Sequence, residues 1–202
     1  MIAVIDYGVG NLFSLGSSLK AIGADAVVSK DPDVIRRADH VILPGVGAFG
    51  DAAGKLRETG MYDVVKETAA AGIPMLGICV GMQLLFDQSL EFGTHEGLGL
   101  IPGTVDAIEP RIGAELDVPH MGWNSLIYTA ESKLFAGIPA HSFVYFVHSY
   151  AAFDCEPYVT AVTEYGIELT AAAEKGNVFG TQFHPEKSGE TGLSILKNFC
   201  SL

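Results

Sequence analysis

A cysteine between two glycines is the feature of this sequence best suited to covalent chemistry. Residues 77–81 read GICVG, with Cys79 at the centre. A strained turn that displays a nucleophile needs small neighbours, because the backbone segments around such an elbow approach too closely for Cβ atoms. A helix that starts after the turn favours a thiolate through its dipole, and its free N–H groups can receive an oxyanion. Cys79 is therefore a candidate nucleophile, and a buried structural cysteine in a glycine-rich turn is the alternative.

A cysteine nucleophile needs a base, and the chain has six histidines: His40, His95, His120, His141, His148 and His184. His184 directly follows an apolar strand predicted at residues 178–182. The active sites of α/β proteins lie in the loops at the carboxyl ends of such strands. Glu186, two residues later, could fix the tautomer of that imidazole and stabilise its charged form. We therefore expect His184 to be the base and Glu186 to orient it. His148 has no acidic residue nearby in sequence and is the second candidate base.

A second glycine loop, LPGVGAF at residues 43–49, also follows an apolar strand. The loop could present one backbone N–H beside that of Val80 and so form a two-donor oxyanion hole. One such donor contributes about 2.7 to 4 kcal/mol of transition-state stabilisation. A tight strand-to-helix turn without a ligand is the alternative interpretation.

Other cofactor and metal chemistries are not supported. Residues 6–11, DYGVGN, resemble the start of a dinucleotide-binding loop, but Phe13 stands where the third small residue is required. No phosphate-binding P-loop occurs. The HPE string at residues 184–186 has the first part of a zinc deaminase motif, but no CxxC follows it. We expect no cofactor and no metal.

Composition narrows the class of protein further. The 202 residues carry 12 basic and 24 acidic side chains, and a net charge of −12 disfavours binding to nucleic acid or anionic lipid. Cys79, Cys155 and Cys200 are odd in number and widely spaced, so neither a disulfide framework nor a zinc site is indicated. The first residues enter a strand pattern without a basic leader, and the apolar tract at residues 69–82 is too short to span a membrane. These features predict a cytoplasmic protein.

The elements that must position these residues alternate in the first half of the chain. Strands are predicted at residues 2–5, 26–29, 41–43 and 75–78, with helices at 12–22, after Asp31, at 49–58 and at 61–71. Shorter strands follow at residues 104–108, 118–120, 143–148, 159–163, 171–173 and 178–182, with a last helix at 192–199. After Cys79, the apolar residues Met82, Leu84, Leu85 and Phe86 predict an amphipathic helix. The fold class is α/β, with a mostly parallel central sheet flanked by helices, an antiparallel extension, and one domain spanning residues 1–202.

Together, Cys79, His184, Glu186 and the two glycine loops resemble the class I, or triad, glutamine amidotransferases. In that family the cysteine hydrolyses glutamine for its amide nitrogen. The resemblance covers nearly the whole chain and implies the single-domain fold of the family. Residues 118–124, VPHMGWN, are the most specific motif. With residues 44–49 and 148–150, they are similar to the glutaminase subunits of imidazole glycerol phosphate synthases.

The resemblance implies a role for each matching position. Cys79 would be the nucleophile, His184 the general base and then acid, and Glu186 the residue that orients it. The remaining roles are an oxyanion hole at Val80, Val46 and Gly47, glutamine binding at Gln83, Glu91, Ser149 and Tyr150, and a partner interface at Tyr7, Asn11, Trp123 and Asn124. Two positions depart from the pattern: Val80 stands where leucine is common, and Asp117 where lysine often precedes residues 118–121. The first keeps a backbone donor, and the second could alter a partner contact.

The resemblance also implies a partner. Ammonia released into water would be protonated and lose its nucleophilicity, so such a subunit passes it by a closed route to a second active site. The implied partner is a TIM-barrel cyclase that forms a heterodimer with this chain and makes imidazole glycerol phosphate in histidine biosynthesis. The alternatives are a glutaminase serving another amidotransferase pathway, a γ-glutamyl hydrolase, and a non-catalytic regulatory subunit of the same fold. Residues 118–124 and the intact triad favour the first interpretation.

Overall fold

The computed structural model describes residues 1–202 and contains fourteen strands and six helices. The strands are β1 (Ile2–Ile5), β2 (Ala26–Ser29), β3 (His40–Leu43), β4 (Met75–Ile78), β5 (Gln88–Ser89), β6 (His95–Glu96), β7 (Thr104–Ala107), β8 (His120–Ser125), β9 (Ile127–Tyr128), β10 (Phe143–His148), β11 (Tyr150–Phe153), β12 (Val159–Tyr165), β13 (Ile167–Lys175) and β14 (Val178–Thr181). The helices are α1 (Leu12–Ala21), α2 (Pro32–Arg36), α3 (Phe49–Glu58), α4 (Met61–Ala70), α5 (Val80–Gln83) and α6 (Gly189–Phe199). Short 3-10 turns occupy Lys133–Phe135 and Pro185–Lys187.

An eight-stranded mixed sheet forms the centre of the molecule, in the order β2-β1-β3-β4-β14-β13-β12-β9. The first five of these strands are parallel, and β13, β12 and β9 extend the sheet with antiparallel pairs. The predicted fold class, a mostly parallel sheet flanked by helices with an antiparallel extension, is therefore confirmed. None of the helices combines the length and the apolar character that a membrane crossing requires.

The central strands are almost entirely apolar because they are buried on both faces. Every residue of β1, β4 and β14 is buried, as expected where helices cover both faces of a parallel sheet. These strands are therefore short continuous apolar runs rather than alternating ones. Because β14 lies beside β4 in parallel register, with Thr181 opposite Ile78, both strands end at the same edge of the sheet. Cys79 and the segment that leads to His184 leave the sheet together at that edge.

Two smaller sheets lie outside the central one. An antiparallel pair joins β8 to β10, and a four-stranded sheet has the order β11-β7-β5-β6. The first pair carries the segment that includes His120 and Trp123, while Glu91 follows β5 in the second sheet. Both sheets thus add residues to the end of the molecule where β4 and β14 terminate.

The structure corrects three predictions about elements. The strand expected at residues 118–120 begins at His120 instead and runs to Ser125, since Pro119 has no N–H to donate to a ladder. The amphipathic helix expected after Cys79 is a single buried turn, α5, and Met82 to Phe86 are buried on every side. Four strands were not predicted, β5, β6, β9 and β11; the first three have only two residues each.

Candidate active site

Cys79 sits in a strained turn between β4 and α5. Its φ and ψ are 56° and −114°, a conformation that residues with a Cβ rarely adopt. The backbone N–H of Cys79 donates to the carbonyl oxygen of Thr181 at 2.8 Å, which ties the turn to β14. Such strain persists only where the surroundings impose it and is concentrated at functional sites. The predicted elbow is therefore present.

Glycines allow the chain to fold this tightly around Cys79. A Cβ on Gly77 would lie 2.6 Å from the carbonyl oxygen of Gly81. A Cβ on Gly81 would overlap the carbonyl oxygen of Leu43, and one on Gly45 would overlap the backbone nitrogen of Gly81. The two glycine loops predicted from the sequence are thus packed directly against each other. Residues 45 and 81 must be glycine for this contact to exist.

His184 and Glu186 form a buried pair beside the cysteine. The Nδ1 atom of His184 lies 2.8 Å from Oε1 of Glu186, and both side chains are 3 % exposed. Burial by itself lowers the pKa of His184, but hydrogen bonds to Cys79 and Glu186 and the charges of both groups outweigh it and raise the pKa to about 9. The backbone N–H of His184 donates to the Tyr145 carbonyl oxygen at 3.0 Å, which holds the imidazole in place.

A cavity of about 250 Å³ opens at this edge of the sheet. The predicted site residues that line it are Cys79, His184, Val80, Val46, Gly47, Gln83, Glu91 and Tyr150. A larger and more open groove of about 800 Å³ lies around Thr129 and Lys133, but it contains none of the candidate catalytic side chains. The smaller cavity is therefore the candidate active site.

Hydrogen bonds fix the walls of this cavity. The Phe49 N–H donates to Oε2 of Glu91 at 2.6 Å, so Glu91 anchors the start of α3 directly after the Val46 loop. The side-chain nitrogen of Gln83 donates to the Tyr150 carbonyl oxygen and to Oε1 of Gln182, each at 3.1 Å. The wall is thus rigid on two sides.

Some residues assigned from the sequence have a different environment from the one expected. Ser149 is half-buried and does not line the cavity, although the neighbouring Tyr150 does. Tyr7 is only 1 % exposed, and its hydroxyl donates to the Pro44 carbonyl oxygen at 2.8 Å. A side chain this buried cannot contact a partner, so the placement of Tyr7 at a partner interface is wrong. Its hydroxyl instead hydrogen-bonds to the glycine loop from the inside of the fold.

The other three interface candidates have accessible surface. Trp123 is 56 % exposed, which excludes the alternative that it is a core residue. Asn124 is partly buried, and Asn11 lies in a narrow space that also contacts His184 and Glu186. Their roles stay predictions, since exposure alone identifies no partner.

His148 is not available as a base. It lines the cavity, but its Nδ1 lies 2.9 Å from the Tyr150 carbonyl oxygen and its Nε2 lies 3.0 Å from Nδ1 of His120. Both ring nitrogens are therefore engaged. Burial lowers the pKa of His148 to about 3, so the ring is neutral. The second candidate base from the sequence is wrong for this reason.

Three further residues were not singled out by the sequence. Val147 and Lys187 line the cavity, and the Gln182 side-chain nitrogen donates to Sγ of Cys79 at 3.8 Å. Gln182 lies at the carboxyl end of the strand that precedes His184, and that position was the available signal. Nothing in the sequence near Val147 indicates that it faces the cavity. No group of three acidic, histidine or cysteine side chains is placed to hold a metal ion.

Comparisons with known proteins agree on one family. The family model described as "Glutamine amidotransferase class-I" matches residues 3–201. The "Imidazole glycerol phosphate synthase subunit HisH" of Sulfurimonas denitrificans is 51% identical over 201 residues, covering 98% of this chain and 97% of that protein. The subunit of the same name from Methanothermobacter thermautotrophicus is 50% identical over 202 residues, covering 100% and 98%. That from Moorella thermoacetica is 48% identical over 202 residues, covering 100% and 94%.

Solved structures agree on the fold. A chain described as "Crystal structure of glutamine amidotransferase" superposes with a TM-score of 0.76 at 18% identity, covering 100% of both chains. A chain of "Structure of PurLQS from Thermotoga maritima" gives a TM-score of 0.73 at 20% identity, covering 99% of this chain and 97% of that one. At these identities the similarity concerns the fold alone.

Proposed function

Since this chain belongs to the class-I glutamine amidotransferases and, within them, to the family of imidazole glycerol phosphate synthase subunit HisH, we propose that it hydrolyses glutamine and supplies the ammonia for imidazole glycerol phosphate formation in histidine biosynthesis. The observation that carries the proposal is that Cys79 and His184 line one small cavity while Glu186 holds the His184 ring from behind, at 2.8 Å. Nucleophile, proton carrier and orienting carboxylate are the groups that cysteine-dependent amide hydrolysis needs.

In the first step the sulfur of Cys79 attacks the side-chain amide carbon of glutamine. The carbonyl oxygen becomes an oxyanion, which needs donors already in place. Val80 is the first residue of α5, and the first N–H groups of a helix have no partners within it. We assign Val80 and the Val46 and Gly47 segment to the oxyanion hole.

In the second step His184 gives a proton to the departing nitrogen, so that ammonia leaves and a thioester to Cys79 remains. Water then adds to the thioester, and its proton passes to His184 as glutamate is released. Glu186 accepts a hydrogen bond from Nδ1 throughout and keeps the other ring nitrogen directed at the reacting atoms. The balance is one glutamine and one water for one glutamate and one ammonia.

The substrate is held by the walls of the cavity. Gln83, Glu91 and Tyr150 surround it, and a volume of about 250 Å³ suits a free amino acid better than a peptide. This size favours a glutaminase over a hydrolase of peptide bonds. Ser149 is left out of the proposed pocket, because it does not line the cavity.

The proposed partner is a TIM-barrel cyclase subunit in a heterodimer. Three large apolar side chains, Met121, Trp123 and Phe143, are 65%, 56% and 58% exposed. The pairing of β8 with β10 places them on one face, because residues 121, 123 and 125 alternate with inward ones and Phe143 is opposite Ser125. An apolar face of this kind is typical of a protein interface. Trp123 is the proposed contact on this face, while Asn124 is an inward residue of β8 and Asn11 lies near His184 and Glu186, so these two stay candidates for the interface outside the apolar face. The three free cysteines support a location in the reducing cytoplasm.

The test is the variant Cys79→Ala in the two-subunit complex. We expect glutamine-dependent synthesis to be lost, because no thioester forms, while synthesis from added ammonium salt continues, because the cyclase needs only ammonia. Both rates are measured on complexes whose assembly has been checked by gel filtration. Loss of both activities in an assembled complex would contradict this division of labour.

A further inference from the structure

Two buried histidines that the proposed chemistry does not use are bonded to each other. The Nδ1 atom of His120 lies 3.0 Å from Nε2 of His148. His120 is stacked between the rings of Phe146 and Tyr165, with centroid distances of 4.8 Å and 4.1 Å. One nitrogen of the pair must carry the proton and the other must accept it.

The direction of this bond is fixed first by Asn124. Its Oδ1 accepts the Ser125 N–H at 2.8 Å, and its Nδ2 donates to the Glu164 carbonyl oxygen at 2.8 Å. These two bonds settle which end of the amide is nitrogen. The same Nδ2 lies 3.2 Å from Nε2 of His120, so this ring nitrogen accepts. The proton of neutral His120 is therefore on Nδ1, and His120 donates to His148.

The hydrogen bond that His148 makes on its other side independently gives the same direction for the bond between the two histidines. Nδ1 of His148 lies 2.9 Å from the carbonyl oxygen of Tyr150, which can only accept. His148 therefore carries its proton on Nδ1 and accepts at Nε2 from His120. Burial lowers the pKa of His120 to about 4 and is the largest cause that lowers the pKa of His148 to about 3. Both rings are thus neutral near neutral pH, each with the proton on Nδ1.

The chain of bonds ends at the substrate cavity. The Tyr150 carbonyl oxygen that accepts from His148 also accepts from Nε2 of Gln83, and the second hydrogen of that nitrogen goes to Gln182. Because both amide hydrogens are used, the Oε1 atom of Gln83 is left as an acceptor without a protein partner, in a side chain that lines the cavity. A reversed Gln83 amide would set its oxygen against two other oxygens.

We propose that Asn124, His120 and His148 form a one-way hydrogen-bond relay that positions the Tyr150 carbonyl and thereby holds Gln83 with its oxygen toward the substrate. These are positioning residues, since Asn124 and His120 do not reach the reacting atoms. The relay links the strand that carries the exposed Trp123 to the glutamine pocket. The inference rests on the proposed glutaminase function for its kinetic consequence but not for its geometry.

The geometry is tested by the tautomers of the two rings in the full chain. With ¹⁵N-labelled histidine, NMR distinguishes a protonated ring nitrogen from a free one. We expect both His120 and His148 to carry the proton on Nδ1, the less common form of free histidine. In Asn124→Asp the new carboxylate can only accept, so His120 gains a proton on Nε2. Ser125→Ala, in the same strand, should leave both rings unchanged. A proton on Nε2 of either ring in the unaltered protein overturns the relay, whatever the protein's activity.

The consequence is tested by glutaminase kinetics of the assembled complex. A hydrogen bond contributes about 0.5 to 1.5 kcal/mol net, so Asn124→Asp should raise the KM for glutamine roughly 2- to 13-fold, with kcat changed less than about twofold. Ser125→Ala should match the unaltered complex. A fall in kcat at unchanged KM overturns the positioning role. An unaltered complex without glutaminase activity would instead overturn the proposed function, leaving the tautomers as the separate test.

A second pair of variants covers a failure of Asn124→Asp to fold. His120→Asn places an amide nitrogen where Nδ1 stood and can still donate to His148, whereas His120→Leu cannot. We expect His120→Asn to keep a KM closer to the unaltered value than His120→Leu does. An equal rise in KM for both variants overturns the relay, because the lost packing of the ring would then explain the whole effect.

Discussion

At the scale of single residues, the protonation of His184 is the feature with the largest chemical effect. A pKa of about 9 means that this imidazole is charged at neutral pH, held by Glu186 on one side and Cys79 on the other. His184 therefore begins the cycle already carrying the proton that the departing ammonia needs. The hydrogen bonds and charges that raise this pKa support the expected role as an acid, and the expected role as a base stays a prediction for the later attack of water.

Removing the sulfur should lower the pKa of His184. In Cys79→Ala one of the two groups that raise it is gone, so the value should fall toward 6.5. A raised histidine pKa stabilises the fold below pH 6.5 and loses that contribution as the pH rises through about 9. The variant should therefore lose less stability over this range. NMR titration of the His184 ring and urea unfolding at the two pH values measure both effects. An unchanged pKa would mean that Glu186 alone sets it.

At the scale of elements, the contact between the two glycine loops determines the shape of the site. The start of α5 packs on the end of β3 through Gly81 and Gly45, where no Cβ fits. This backbone contact fixes the separation between the nucleophile and Gly45, where the proposed oxyanion loop begins, while a Cβ on Gly47 would meet no atom within 4 Å. A looser contact would move the donors relative to the sulfur, and catalysis is sensitive to shifts of about 1 Å.

Alanine substitutions at Gly81 and Gly47 should distinguish the stability lost through a steric clash from the stability lost through an unfavourable backbone conformation. Gly81→Ala would overlap the Leu43 carbonyl oxygen, and relieving such a clash in a packed interior costs about 3 kcal/mol or more. Gly47→Ala meets no atom within 4 Å, and only its φ of +84° is unfavourable, at about 1 to 2 kcal/mol. Urea unfolding compares the two. Equal losses would show that the loops are not in tight contact.

The elements that were predictable from the sequence are those with local signals. The helices α1, α3 and α4 begin where they were expected, and β4 and the elbow at Cys79 were predicted from a continuous apolar run ending in glycine. The two-residue strands β5 and β6 carry no periodicity of their own. The buried turn α5 was read as amphipathic because its apolar residues fit a stripe, but burial from all sides gives no distinct polar face.

The site was predictable where chemistry restricts the residue type. Cys79, His184 and Glu186 have few chemical equivalents, so their residue types and their places relative to strand ends were sufficient to predict that they lie together, and their catalytic roles stay predictions. Tyr7 was misassigned because the sequence does not tell whether a loop side chain points outward or beneath the loop. His148 was misjudged as a base because both of its partners, His120 and the Tyr150 carbonyl, act through contacts that only the folded chain reveals.

At the scale of the whole molecule, an acidic chain carries one concentrated apolar face. The net charge of −12 keeps like copies apart. The face of Met121, Trp123 and Phe143 is the proposed site for a partner of different composition. It is built on β8, the strand that also carries His120 and Asn124. The proposed partner face and the proposed histidine relay to the glutamine pocket therefore share one strand.

Trp123→Ala should weaken stimulation of glutaminase by the cyclase subunit. We expect the isolated chain to be weakly active, because the loop at Val46 and Gly47 needs the partner to reorient, and added cyclase to raise the rate. Loss of a central tryptophan typically costs about 2 kcal/mol or more of binding, so half-maximal stimulation should need at least about ten times more cyclase. Val28→Ala, at a 44% exposed position on β2, is the control. Full activity without cyclase, or equal stimulation of both variants, would contradict this.

The position of β14 between β4 and β13 has a consequence for the protein while it is being made. The strand that holds the elbow is synthesised well before the strand that completes its edge, since residues 75–78 pair with residues 178–181. A nascent chain emerging from the ribosome thus has Cys79 but lacks the imidazole of His184 until 184 residues have been translated. The thiol and its proposed proton carrier come together only after β14 and His184 have been added, so shorter translation products lack the imidazole that the proposed reaction needs.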